Sequence, residues 1–305
     1  MISRATLLRT MAAPWPLALL AAAAVLGSRL RGRLVLERVA LPVPDLPPAL
    51  DGLRLLHLSD LHLRATDGDL ADEVRAFSAL RPDLTVVTGD LIEDDAGIPL
   101  AASLVRDLAG RDSTFVVLGN HDYIRYGFGG QKMTSFRNDV PRLCAALAQA
   151  GATVLRNAWA TAQPRGTALH VVGVDDPHLG YDALDVATAG LPADGPRLLL
   201  SHSPDILPQA VAHGLRVVIA GHTHGGQVVL PLLGAVKTAT RLRLPRPAGL
   251  LRWRSATIYV SRGVHGALPI RFNCPPEVGL LTLRPADAPR DALSRCAGTP
   301  SPNLI

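Results

Sequence analysis

Hydrophobic positions in this chain gather into short unbroken runs, most of them closed by Gly, Pro or Asp. Between the runs lie longer stretches in which apolar residues recur every three or four positions. Residues 53–58, 84–88, 114–118, 198–200 and 217–220 are mostly aliphatic, as strands buried on both faces are. The spacing over 69–80, 98–108 and 140–150 predicts amphipathic helices. Strands alternating with helices predict an α/β layered fold. Residues 34–48, rich in Val, Leu and Pro, read as an edge strand and a linker into the first core strand. Residues 285–305 have no period and read as a loose tail.

The pattern changes in kind at the start of the chain. Residues 11–27 are uncharged and apolar, with Arg4 and Arg9 before them and Arg29, Arg31 and Arg33 after. A spanning helix needs ~20 apolar residues, and this run is slightly shorter, with Pro14 and Pro16 near its beginning. A cleaved export signal is the competing reading, but the basic residues directly after the run oppose clean translocation. We therefore read 1–33 as a membrane anchor or export segment, 34–284 as the catalytic domain and 285–305 as the tail. Basic residues on both flanks leave the side of the membrane open.

Composition adds limits. The chain has 305 residues and 48% hydrophobic content, which suits one large α/β core and argues against disorder. A net charge of +5, mostly from Arg, suits a phosphate-bearing substrate or an anionic membrane surface. Cys144, Cys274 and Cys296 form no C-x-x-C pair, so neither a disulfide framework nor a cysteine zinc site is expected.

The chemistry sits where the apolar runs stop. Asp60-Leu-His62, Gly89-Asp90, Gly119-Asn120-His121-Asp122, Ser201-His202 and Gly221-His222-Thr-His224 each follow such a run. In α/β sheets of this kind, ligands gather beyond the carboxyl ends of the strands, so one crevice can collect all five motifs. Scattered His and Asp would mean little in a chain with 10 His and 26 acidic residues; position carries the information. Hydrolysis of a phosphate ester must bring a hydroxide to an anionic phosphorus and release an alkoxide or phosphate. Two divalent ions ~3.5 to 4 Å apart meet both needs. Ions that close require a shared carboxylate, with each oxygen facing one ion, and Asp90 is the candidate bridge. Imidazole, carboxylate and amide oxygen donors favour Mn, Fe or Zn. With Asp60 and Asp90 ionised and a hydroxide bound, such a site keeps a charge of about +1, which attracts a phosphate rather than a peptide. Glycines around His222 and His224 let the backbone pass close to an ion, and alternation puts both rings on one side.

These five blocks, in this order over residues 53–227, resemble the calcineurin-like metallophosphoesterases, whose pattern is D-x-H, G-D, G-N-H-[DE], a lone His and G-H-x-H. The resemblance implies a four-layer α/β/β/α sandwich with two mixed sheets. It further implies that Asp60, His62, Asp90 and His224 hold one metal and Asp90, Asn120, His202 and His222 the other. His121 would protonate the leaving group, with Asp122 orienting it. Glu93 departs from the pattern, since many members carry Asp three residues after the bridge. The flanking Gly225-Gly226-Gln227, Tyr123, 259–263, 268–272 and 276–277 look like a membrane-associated bacterial branch that includes an exported phosphoesterase and a UDP-2,3-diacylglucosamine pyrophosphatase.

The expected function is hydrolysis of a phosphodiester or pyrophosphate bond, with a lipid-linked substrate such as UDP-2,3-diacylglucosamine as the sharpest candidate. A broad-specificity phosphodiesterase on soluble substrates is the alternative, and a catalytically silent membrane-bound scaffold is the alternative of another class. His57, His170 and His213 read as packing or surface residues; His178 and His265 lie in loops and read as either ordinary loop residues or neighbours of the pocket, outside the metal shell in both cases. Residues 123–137 have the composition of a flexible pocket wall, in which Arg125 either reaches a substrate phosphate or lies at the surface. Residues 228–254 interleave Lys237, Arg241, Arg243, Arg246, Arg252 and Arg254 with Leu, Pro and Trp253, which suits either a lipid headgroup boundary or a solvated basic loop. No H-E-x-x-H, Walker loop or G-x-S-x-G elbow occurs, and no nucleic-acid partner is expected.

Overall fold

The computed structural model describes residues 32–129, 132–266 and 270–286. The apolar run at 11–27 and the tail at 287–305 lie outside the described residues. Within them, no helix is long and apolar enough to cross a membrane.

Two six-stranded sheets form the body. The first runs β1 (Val35–Val43), β16 (Glu277–Pro285), β2 (Arg54–Leu58), β3 (Leu84–Thr88), β4 (Ser113–Val117), β7 (Thr153–Val154). The second runs β14 (Gly249–Trp253), β15 (Ala256–Val260), β11 (Val217–Ala220), β10 (Arg197–Leu200), β9 (Leu169–Gly173), β8 (Ala158–Ala162). Both are mixed: β16 is parallel to β1 but antiparallel to β2, and β14 and β8 pair antiparallel with their neighbours. The strands carrying the motifs, β2, β3 and β4 in one sheet and β10 and β11 in the other, are parallel within each sheet.

Alternation along these strands explains the layers. Leu55, Val86 and Val117 of the first sheet meet Val171, Leu198, Leu200, Val217 and Ile219 of the second in one buried cluster. The intervening residues face outward. Leu56, Val87 and Val116 pack under helices α1 (Gly68–Arg75), α2 (Ile98–Asp107) and α4 (Val140–Gln149), whose inner faces present Val74, Leu104 and Leu143. On the far side, Val172, Leu199 and Val218 pack under α5 (Leu184–Ala187) and α6 (Leu207–Ala212). Three apolar layers between four layers of elements are the α/β/β/α sandwich.

The expected helices are present; the one over 69–80 ends at Arg75 and continues as a 3₁₀ turn, Ala76–Leu80. β1 is an edge strand, as its Pro-rich sequence predicts. After the one-turn helix α3 (Asn120–Tyr123), β5 (Ile124–Gly129) and β6 (Lys132–Arg137) pair antiparallel, where composition suggested a pocket-wall loop. There the Arg125 guanidinium lies 4.9 Å over the Phe136 ring. A second small hairpin, β12 (Val229–Leu230) and β13 (Gly234–Ala235), follows the last motif.

Candidate metal centre

All five motifs lie at the carboxyl ends of their strands, and the two sheets bring them together. The chain must turn sharply there to aim side chains back across the strand ends. Asp60, His62, Asp90, His222 and His224 accordingly have positive φ, between 44° and 69°. Left-handed backbone at a non-glycine residue costs about 1–3 kcal/mol and persists only where the surroundings impose it. Glycine supplies the room. A Cβ on Gly89 would stand 2.5 Å from Gly119 N and 2.8 Å from His202 Nδ1, and one on Gly221 would collide with Ser59 Oγ.

Two trios of the expected ligands result, each with its ligand atoms within 4.8 Å of one another, Asp60 with His62 and His224 and Asp90 with His202 and His222; His62 forms a further such group with Glu93 and His121. All six residues of the two trios are buried. Asp90 joins the halves, since its Oδ2 lies 3.5 Å from His62 Nε2 and 3.2 Å from His202 Nε2. Its Oδ1 accepts the His121 backbone N–H (2.8 Å). His224 Nε2 lies 3.8 Å from Asp60 Oδ1. Two donors on one ion at ~2.1 Å stand ~3 to 3.5 Å apart, so these spacings suit cations between them. His222 and His224 serve different trios, and left-handed turns rather than strand alternation direct them.

Hydrogen bonds and unpaired atoms agree. His202 Nδ1–H donates to the Thr88 carbonyl at 2.7 Å, which directs Nε2 toward Asp90 Oδ2 and, at 3.0 Å, His222 Nδ1. Asp60 Oδ2 accepts from Ser59 Oγ (2.6 Å) and from the His222 backbone (3.1 Å), which holds the carboxylate in place. Asn120 Oδ1 and His62 Nε2 are buried without a hydrogen-bond partner, while His222 turns Nδ1 toward His202. Buried polar atoms are seldom left so unless something else binds them. Nitrogen and oxygen donors with orphaned lone pairs therefore fit divalent transition ions.

The electrostatics point the same way except at His202, where burial lowers the imidazole but Asp90 outweighs it and the net shift is well upward, so a bound ion would displace its proton. Burial pushes the Asp90 carboxyl up, but His202, His121 and His62 hold it well below the ordinary carboxylate range. Asp60 is likewise lowered, the penalty of burial being overcome by His224 and His202. Burial pushes His222 down to about 3 and His224 to about 4, so both are neutral and able to ligate at neutral pH.

One expected role moves. Asp122 is not the carboxylate that orients the His121 ring, because its own oxygens are committed to backbone. Oδ1 accepts from Leu91 N (2.8 Å) and Ile92 N (3.1 Å), and Oδ2 from Gly119 N (2.9 Å). Asp122 thus ties the loop after β3 to the loop after β4; burial, then Asp90, raises its carboxyl to about 7. The ring of His121 instead meets Glu93, whose Oε2 lies 3.5 Å from His121 Nδ1 and 3.2 Å from His62 Nδ1. Burial lowers the His121 imidazole, but the Glu93 contact outweighs it and the net shift is upward.

The unassigned histidines divide. His57 Nε2 lies 2.8 Å from Thr88 Oγ1, His170 Nδ1 lies 2.8 Å from Thr161 Oγ1, and His213 faces Asp185 at 3.3 Å. His178 and His265 border the site: their rings lie 4.8 Å from His222 and 6.1 Å from His62. Sequence reasoning did not anticipate Arg271. This buried guanidinium donates to the His224, Arg262 and Gly263 carbonyls (3.3, 2.8 and 3.3 Å), knitting the last motif to the loop after β15. A signal existed, since Arg271 lies in the 268–272 block already singled out.

Comparison with known proteins agrees with this architecture. Residues 53–226 match the family model for calcineurin-like phosphoesterases, and the chain belongs to that family. It is 30% identical over 250 residues to the uncharacterized metallophosphoesterase YkuE of Bacillus subtilis, covering 78% of this chain and 82% of that protein. It is 29% identical over 234 residues to phosphodiesterase YaeI of Escherichia coli, covering 75% and 82%. Similarity to the UDP-2,3-diacylglucosamine pyrophosphatase LpxG of Chlamydia trachomatis is 29% identity over 279 residues, covering 76% and 84%. The protein is a phosphoester hydrolase of the metallophosphoesterase class.

Proposed function

We propose that the chain is a membrane-tethered hydrolase with two divalent ions, cleaving a phosphodiester or pyrophosphate bond in a lipid-linked substrate of the UDP-2,3-diacylglucosamine type. Asp60, His62, Asp90 and His224 hold one ion; Asp90, Asn120, His202 and His222 hold the other; Mn, Fe or Zn fits the donors. The observation that carries the reading is Asp90 Oδ2 lying between His62 and His202 and joining the two trios. When bound, the ions supply a water of lowered pKa and neutralise charge on the phosphoryl oxygens.

The chain's own residues do the rest. His121 is partly open to solvent, at 18% of its side chain, and stands beside Asp90, where a leaving oxygen is reached. Glu93 beside Nδ1 favours the protonated ring, which leaves the Nε2 proton for the departing oxygen. Asp122 keeps Asn120 and His121 in place by fixing the start of α3. A lipid-linked substrate is supported by likeness to LpxG and by the apolar run at 11–27. The bounds 34–284 are supported by β1 and β16, which begin and end near them and pair side by side.

The test is incubation of the purified full chain with Mn and UDP-2,3-diacylglucosamine, phospholipids or water-soluble diesters, with products identified by mass spectrometry. Release of UMP from the first, abolished by chelation and restored by Mn, is expected. Turnover confined to soluble diesters would replace the lipid substrate with broad specificity. About two bound ions without turnover of any ester would leave a scaffold.

A further inference from the structure

Next to the metal motifs, the segment from 228 to 254 carries apolar and basic side chains that the fold itself does not use. The β12–β13 hairpin holds Leu232 and Leu233 at its tip, 107% and 82% exposed, and Val236 beyond it is also exposed. Val229 N donates to the Phe272 carbonyl at 3.0 Å, and Val228 bridges to Phe272, so the exposed Ile270 and Phe272 adjoin the hairpin. Single exposed leucines are ordinary, but several large apolar residues on one face mark an interaction surface.

The basic residues are arranged in the same region. Leu242 and Leu244 pack inward on the apolar layer of the second sheet, while Arg241 and Arg243, which alternate with them, are exposed. Lys237, Arg241 and Arg243 form no ion pair among the described residues, and no Asp or Glu occurs from Val228 to Arg254. A cleft of about 440 Å³ lies here, lined by Leu233, Leu242, Leu244 and Arg246 and reaching Gly225, the neighbour of His224.

The start of the described chain falls on this edge too. β1 is parallel to β16, and β16 is antiparallel to β2, so β1 begins at the end of the sheet where β2 delivers Asp60. Val35 N donates to the Pro276 carbonyl (2.9 Å), and Gly32 lies against Pro276. Only residues 28–31 separate Gly32 from the apolar run in sequence, and Gly32 itself lies against Pro275 and Pro276 at the edge that carries the metal loops.

We propose that this face docks on an anionic phospholipid bilayer, with the Leu232–Leu233 tip at the acyl boundary and Lys237, Arg241 and Arg243 among the headgroups, so that the metal site opens toward the membrane surface. The proposal rests on reading residues 11–27 as the anchor. Unpaired cations complement anionic lipid, and exposed leucines beside them suit an interfacial element. An anchor entering at the same edge selects a bilayer over a soluble protein as the occupant.

The experiment uses the full chain, active on bis-p-nitrophenyl phosphate with Mn, carrying Cys144→Ser, Cys296→Ser and Leu232→Cys labelled with an environment-sensitive nitrobenzoxadiazole. It is reconstituted in vesicles of phosphatidylethanolamine with phosphatidylglycerol, or of phosphatidylcholine alone. The expected result is a blue-shifted, severalfold brighter label, quenched by acyl-brominated lipid in the anionic vesicles and much less in phosphatidylcholine. Arg241→Ser with Arg243→Ser reduces that quenching and leaves aryl diester turnover intact. A label that stays in water in anionic vesicles, or one quenched equally in both lipids, overturns the proposal. Because the readout is position rather than turnover, failure of the lipid substrate is detected separately, by mass spectrometry.

Discussion

At Asp60, His62, Asp90, His222 and His224 the backbone is left-handed, so the site is built from residues that locally prefer another conformation. Packing around Gly89, Gly119 and Gly221 holds them there. Glu93 shows how a residue can matter without touching an ion. It faces His62 and His121 together, and removing such a partner of a metal-site histidine typically costs about 10–100-fold in activity or affinity. Glu93→Gln should lower kcat/KM within that range, and more for alkyl than for nitrophenyl leaving groups, because poor leaving groups need the His121 proton most; steady-state kinetics over a leaving-group series checks this. His57, which lies behind the site on Thr88 and is not itself assigned as a ligand, offers a pH signature. Burial, opposed by Asp60, lowers its folded pKa to about 3, against 6.5 when unfolded. The unfolded chain therefore binds a proton that the fold refuses between those values. Stability from this residue is full above pH 6.5 and is lost as pH falls toward 3. His57→Gln should flatten the decline of the thermal midpoint between pH 7 and pH 4, measured by calorimetry in chelator.

Helices and strands were legible to different degrees. The helices show a 3.6-residue apolar period against one sheet face, and their positions follow from the chain alone, apart from the shift to a 3₁₀ turn after Arg75. The motif-bearing strands were legible as doubly buried runs. The hairpin at 124–137 was not, since loop-like composition there conceals a paired ribbon. Nor was the central place of β16 between β1 and β2, because pairing across some 220 residues leaves no local trace. The helix–sheet layer should respond as a packed core. Leu104→Ala on α2 leaves a cavity under Val87 and Val116 and should cost about 2–5 kcal/mol in urea unfolding, whereas Val186→Ala, 62% exposed on α5, should cost no more than about 0.5 kcal/mol. Turnover by folded Leu104→Ala protein at low temperature should be close to normal, because α2 carries none of the ligands.

For the molecule as a whole, the site is a joint between two sheets: β2, β3 and β4 deliver Asp60, Asp90 and Asn120, while β10 and β11 deliver His202 and His222. Ions bound there hold the sheets together and stabilise only the folded chain. Mn at a hundred times its dissociation constant should add about 2.7 kcal/mol to unfolding free energy, seen as a raised thermal midpoint. Asp90→Asn, which weakens the bridge between the trios, should largely abolish that rise and the bound metal measured by elemental analysis. The order and spacing of the motifs, the runs before them and the helical periods were determined by the sequence itself, because each depends on neighbours within a few positions along the chain. Only the tertiary structure decided that Asp90 Oδ2 lies between His62 and His202, that Glu93 rather than Asp122 faces His121, and that the start of β1 shares an edge with the metal loops. These depend on distances between residues remote in sequence, which sheet packing sets and no local pattern encodes.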